Sequence, residues 1–197
     1  MTKGNKMAKN MKQNFVLQTH FFGVLLPDEL DSEIEESRRY MNGAFGCKSG
    51  HRTPLHVTLV PPFHLSDEFS TADIVSALES RIAPISESLR FSARVEGFGA
   101  FGERTVFARV LPSEAWLRIR DAVLHAVLEK CPHCTKKDTR PFQPHITIAN
   151  RDIPAGATAK ALIVLNDTAL RADFPADNIA VFERENGLWR TAVVIEL

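Results

Sequence analysis

Hydrophobic residues make up 44% of the 197-residue chain and charged residues 24%, ordinary globular values that exclude wholesale disorder. Lysine plus arginine equals aspartate plus glutamate, 24 each, for a formal net charge of zero. Proteins that grip long nucleic acid through many phosphates are usually basic, so no long nucleic-acid groove is expected, and a phosphate-bearing ligand would be short and held by a local basic patch. The sparse cysteines, Cys47, Cys131 and Cys134, suggest a reducing, cytoplasmic setting. The apolar run FVLQTHFFGVLL is too short and too interrupted to span a membrane.

In chain order, residues 1–13 read as a flexible basic tail carrying Lys3, Lys6, Lys9 and Lys12, and residues 14–197 as one domain. A strand at 15–26 ends at Pro27, which fixes φ and lacks a ladder donor. An Asp or Ser after the proline is expected to cap a helix at 28–43, amphipathic through Leu30, Ile34 and Met41, with a first-turn Glu suited to the helix dipole. A basic loop with Lys48, His51 and Arg52 leads into a strand at 54–61. A helix at 71–82, opened by a Ser70–Asp73 capping box, and strands at 88–99 and 104–111 follow. The pattern then recurs: Phe22, Leu26, Pro27 and Glu29 match Phe107, Leu111, Pro112 and Glu114, each 85 positions on. A helix at 113–130 presents Trp116, Ile119, Val123 and Ala126 on one face. A second basic loop, with Lys136, Lys137 and Arg140, precedes a strand at 143–150. A helix at 156–165 and strands at 177–184 and 188–196, joined by Glu185-Asn186-Gly187, complete the chain. Repeat units of roughly 15–103 and 104–197 that share strands predict an α+β fold. The expected architecture is a bilobal, pseudo-twofold arrangement of largely antiparallel sheets around a central cleft, with helices on the outside.

The elements that matter for chemistry are the strands LHVTLVPP and PHITIANR, in which His56 and Thr58 recur as His145 and Thr147, 89 positions on. Side chains alternate faces along a strand, so each His–Thr pair shares one face while Val57, Leu59, Ile146 and Ile148 share the other. The apolar face suits burial under helices; the polar face suits a cleft. One neutral imidazole can take a proton from an attacking hydroxyl or water while a second, protonated one supplies the departing oxygen. Each threonine hydroxyl can donate to a non-bridging phosphate oxygen. A solitary His-x-Thr in a strand is commonplace and usually structural. Two copies at equivalent places of a repeat point to in-line phosphodiester cleavage without a metal, with His56 and His145 catalytic and Thr58 and Thr147 phosphate-binding.

The pair HVTL and HITI, set in this repeat with PDEL, PPF, GFGAFGERTVFARV and VFERENGLWR, resembles the signature of the 2H phosphoesterase superfamily. The branch it is most similar to is the bacterial 2′-5′ RNA ligase and RNA 2′,3′-cyclic phosphodiesterase group. The resemblance covers most of residues 15–197. It implies an activity on 2′,3′-cyclic phosphates or 2′-5′ linkages of RNA ends or small nucleotides, with reverse 2′-5′ ligation within its reach. Where related sequences often read His-x-Thr-Leu-Ala-Arg, this chain has Asn150, with the arginine one place later at Arg151. On an ideal strand that slip turns Arg151 to the other face; it is kept as a candidate ligand.

Further candidates for the substrate site are Arg52 and Arg140 in the basic loops, and Phe63 and Phe142, which flank the motifs and could stack on a base. Cys131-Pro132-His133-Cys134 has the spacing of half a zinc site but lacks a second pair, so no metal and no cofactor are expected. A monomer acting on a small nucleotide or an RNA end, away from membranes, is the expected form. The alternative of a different class is an RNA- or nucleotide-binding module that keeps the fold without turnover; ring opening of 2′,3′-cyclic nucleotides separates the two.

Overall fold

A computed structural model describes residues 17–135 and 141–197 of the chain. The expected basic tail, along with Lys136, Lys137 and Arg140, lies outside the described residues. Eight strands are β1 (His20–Leu25), β2 (His56–Phe63), β3 (Phe91–Phe101), β4 (Thr105–Val110), β5 (His145–Asn150), β6 (Arg171–Ala176), β7 (Asn178–Glu185) and β8 (Leu188–Glu196). The helices are α1 (Asp28–Phe45), α2 (Thr71–Ile82), the one-turn α3 (Ser86–Leu89), α4 (Glu114–Lys130) and α5 (Ala157–Asp167). A 3-10 turn, Ser49–Arg52, precedes β2.

All eight strands join one open sheet in the order β6-β3-β4-β5-β2-β1-β7-β8, and every pairing is antiparallel. The fold is α+β with two four-stranded halves that meet at the sheet centre, where Val57 of β2 faces Ile146 of β5. β3, from the first repeat unit, pairs with β4 and β6, while β7 and β8 from the end of the chain extend β1.

Period-two alternation holds at the join. Val57, Leu59, Ile146 and Ile148 are buried in the main core, under α4, which packs on β2, and α1, which packs on β5. Burying such branched side chains removes apolar area worth about 25 cal/mol per Å² and is what pins the register, since a one-residue slip would turn them outward. His56, Thr58, His145 and Thr147 are each half-buried on the opposite face.

Several expectations need correction. Pro27 occupies the N-cap of α1, and neither it nor Ser113 at α4 makes a side-chain cap bond; Asp28, Glu29 and Asp31 instead lie in the first turn, where they offset the helix dipole. The Ser70–Asp73 capping box is present in both directions. β6 lies outside the expected elements: RADFPA contains Asp173 and Pro175, residues that weaken a strand signal and are tolerated because β6 is an edge strand. The ladders also shift the repeat by one position within the strands. Gly23 and Phe107 face Thr58 and Thr147, and Leu25 and Arg109 face His56 and His145, so Gly23, not Phe22, is the counterpart of Phe107. The β7–β8 turn has left-handed Asn186 (φ 49°) and Gly187 (φ 80°), as a two-residue hairpin requires.

Candidate active site

Extending the Val57–Ile146 register by one residue each way places His56 across from Thr147 and Thr58 across from His145. The two histidines are therefore diagonal neighbours on one face, a relation that corresponds to about 7–8 Å in an ordinary antiparallel pair. Each ring is anchored in the same way. His56 Nδ1 lies 2.7 Å from the Pro54 carbonyl, and His145 Nδ1 lies 2.8 Å from the Gln143 carbonyl. A carbonyl only accepts, so Nδ1 carries the proton in both rings and Nε2 is left with its lone pair. His56 Nε2 is then the acceptor for the Thr58 hydroxyl at 3.1 Å.

Aromatic rings pack each imidazole. Phe21 and Phe182, themselves stacked at 4.2 Å, lie 4.8 and 5.0 Å from the His56 ring. Phe101 and Phe107 lie 5.0 and 5.2 Å from the His145 ring. This surround disfavours the imidazolium. Burial, aided by the positive Arg38 and by His145, pushes the His56 pKa down to about 4, against a weaker upward pull from the Pro54 carbonyl. Burial also lowers His145, again opposed by its carbonyl partner. Both shifts favour the neutral ring.

A cavity of about 390 Å³ opens beside His56, Thr58 and Thr147. Arg38, Arg151 and Arg184 line it, and among the described residues no carboxylate does, so a chain of zero net charge has gathered a positive cleft where an anion would sit. Trp189 also lines it, with its indole 4.8 Å from the Phe21 ring and the Arg184 guanidinium 5.9 Å from the indole centroid. His145 does not line this cavity; in the register it stands beside Thr58, between Phe101 and Phe107.

The remaining sequence candidates separate. Arg151 is brought to the cleft, against the expectation from strand alternation: β5 ends at Asn150, and Arg151 takes a left-handed backbone (φ 74°), its N–H donating to the Arg104 carbonyl at 2.7 Å. Phe63 is a core residue, stacked near Phe22 and tilted against His20, and offers no face to a base. Phe142 packs against the core under the Arg120 guanidinium, 5.1 Å from its centroid, and does not line the cavity. Arg52 ends the 3-10 turn, but its side chain, like the whole of Arg140, lies outside the described part. Cys131 and Cys134 form a disulfide that closes the turn after α4, against the expectation of reduced thiols. Among the described residues, no group of three His, Cys, Asp or Glu converges as a metal site, and no helix is long and apolar enough to cross a membrane.

Residues 26–188 match the 2′-5′ RNA ligase superfamily. The chain belongs to that superfamily. Within it, the chain is a 2H-type phosphodiesterase, and its similarity runs nearly end to end. It is 27% identical over 180 residues, 84% of this chain and 81% of the relative, to an RNA 2′,3′-cyclic phosphodiesterase of Thermus thermophilus. The structure of TT0787 from Thermus thermophilus superposes with a TM-score of 0.63 at 22% identity, covering 91% of this chain and 97% of that one. Escherichia coli LigT complexed with 3′-AMP gives 0.58 at 18% identity, covering 91% and 98%. These two likenesses concern the fold, and the superfamily's antiparallel α+β architecture is the one observed here.

Sequence reading missed Arg38, Arg184, Trp189 and the four phenylalanines around the histidines. For Arg38 a signal existed: it lies four residues after Ile34, on the stripe that Leu30, Ile34 and Met41 mark for burial. A charged group on a buried stripe is rarely without a role.

Proposed function

We propose that this enzyme hydrolyses 2′,3′-cyclic phosphates or 2′-5′ linkages of RNA ends or small nucleotides, without a metal, with His56 and His145 as general base and acid. The observation that carries the reading is the shared anchoring of the two rings: each spends its Nδ1 proton on a carbonyl two residues upstream and keeps Nε2 for the same sheet face. In the hydrolytic direction, His56 Nε2 takes a proton from water as its oxygen bonds to phosphorus. The bond from phosphorus to the 2′ or 3′ oxygen breaks, and His145 gives that oxygen its proton. Thr58 and Thr147 donate to the non-bridging oxygens, Arg151 and Arg184 supply positive charge, and Trp189 offers a base an aromatic face. His56 is assigned the base because it lines the cavity, with its Nδ1 proton held by the Pro54 carbonyl and Nε2 left as the lone-pair nitrogen. With a 5′-hydroxyl in place of water, His56 would take that hydroxyl's proton as its oxygen bonds to phosphorus, the bond from phosphorus to the 3′ oxygen would break, and His145 would give the 3′ oxygen its proton, leaving a 2′-5′ bond.

His145 must hold a proton to act as the acid, yet burial lowers its pKa in the free enzyme. A phosphate anion between the rings favours the charged form and raises its pKa. The expected pH profiles follow. For kcat/KM, which reports the free enzyme, the maximum lies below 6.5, the ordinary histidine value, because both groups are shifted down. For kcat, which reports the complex, the profile lies at higher pH. Profiles of kcat and kcat/KM that coincide would remove the substrate's part in protonating the site.

Incubation with a panel of 2′,3′-cyclic nucleotides, scoring ring opening and which oxygen keeps the phosphate, tests the reading directly. Turnover should survive EDTA. Binding without ring opening would turn the assignment to a non-catalytic nucleotide-binding module, and loss of activity on chelation, restored by a divalent ion, would end the metal-independent mechanism.

A further inference from the structure

Among the described residues lining the cleft, Arg38 is the one cation on a helix and is deeply buried, its side chain 5% exposed. It lines the cleft and bonds both to the segment before β2 and to β5. Its Nη1 donates to the Thr53 carbonyl at 3.0 Å and to Glu35 at 3.4 Å, and its Nη2 donates to the Thr147 carbonyl at 3.2 Å. Thr53 immediately precedes Pro54, whose carbonyl anchors His56; Thr147 is the motif threonine of the other strand. One guanidinium therefore fastens together the segment that aims the base and the residue that faces it across the sheet join. The Arg38 Nε is buried and has no partner among the described residues.

We propose that Arg38 is a positioning residue of the active site, which sets the distance between the two motif strands and keeps a fixed positive charge behind the phosphate. The proposal rests on the two-histidine reading, and it adds a task for a residue outside both motifs. The charged and titratable groups that face Arg38 are Asp31 and Glu35 on its own helix, His51 of the 3-10 turn, which reaches Glu35 at 2.9 Å, and His56 of β2. Facing His56 are Arg38 from α1 and His145 from β5. Arg38 is thus the permanent charge in that set that opposes protonation of His56. A lysine would keep the charge but could not bridge two carbonyls in a planar fork.

The test uses the full chain with Arg38→Lys, Arg38→Met and Arg38→Gln, 2′,3′-cyclic AMP as probe, and histidine ring NMR as a readout independent of turnover. In the Met and Gln variants His56 should titrate at higher pH than in the wild type, and the acid limb of kcat/KM should move the same way. Their kcat/KM should fall on the order of 10²-fold, the usual consequence of misplacing reacting groups by about 1 Å. Arg38→Lys should leave the His56 titration near the wild-type position and still lose kcat. An unmoved His56 titration in a folded Met or Gln variant overturns the electrostatic part, and wild-type kcat in Arg38→Lys overturns the positioning part. If the neutral variants do not fold, the lysine variant alone decides. A wild type that leaves the cyclic ring intact defeats the functional reading, while the NMR titration still decides the role of Arg38.

Discussion

Alanine at His56 or at His145 should lower turnover of a 2′,3′-cyclic nucleotide by on the order of 10²–10⁴-fold each, the usual contribution of a general acid or base. The two losses should not add. Proton removal at the attacking oxygen and proton delivery at the leaving oxygen belong to one displacement, so the double variant should be little worse than either single one. Circular dichroism should show the fold retained, because both rings stand on the half-buried face and the packing of Val57 and Ile146 beneath them is untouched. Thr58→Val and Thr147→Val should be milder, since each removes one hydroxyl donor and no proton carrier. In the free enzyme the single Thr58 hydroxyl proton is donated to His56 Nε2, and it turns to the phosphate when substrate binds. Near-wild-type turnover in either alanine variant ends the two-histidine mechanism. A threonine variant worse than both contradicts the ordering.

The face assignment of these four residues was legible before any coordinates, because the period-two pattern of HVTL and HITI forces the buried and open sides. So was the β7–β8 hairpin, since Asn186-Gly187 can adopt left-handed backbone that few other pairs tolerate. What stayed hidden depended on tertiary placement. Arg151 looked turned away because strand alternation was carried one residue too far; the left-handed backbone at that residue ends the alternation, and no local sequence rule announces it for an arginine. Phe63 looked like a base platform because it follows the motif, whereas the strand runs on for its full length and delivers the ring to the core. The phenylalanines around the histidines come from β1, β3, β4 and β7, so only the strand order brings them together. Arg38 lies between these cases. Its helical phase marked it as buried, but which carbonyls it would meet required the packing of α1 on β5.

Gly50→Ala should disable the protein from outside both motifs. Gly50 lies in the 3-10 turn before β2, and a Cβ there would run into the carbonyl oxygen of Ile148, with the Arg38 Nε 3.5 Å away. The obstacle is backbone, so no rotamer change relieves it. Nor can the turn retreat cheaply. Asp152 holds it through the Lys48 and Ser49 N–H groups at 2.7 and 2.9 Å and the Ser49 hydroxyl at 2.7 Å, and that hydroxyl accepts from the Asn150 N–H at 3.0 Å. Either these bonds stretch or β5 moves, and β5 carries His145 and Thr147. Overpacking of this kind costs about 1–3 kcal/mol, and a shift of about 1 Å in a catalytic group costs on the order of 10²-fold in rate. The expected result is a lower Tm together with a fall in kcat/KM. Gly43→Ala provides the control: it sits in α1 with nothing within 4 Å of the added methyl, and alanine in a helix is favoured over glycine by about 0.8–1 kcal/mol. Its Tm should hold or rise with activity unchanged. A Gly50→Ala protein that matches the Gly43→Ala control in both measurements would show that the 3-10 turn is free to move away from β5, and that the close approach to Ile148 is not what fixes the second motif strand.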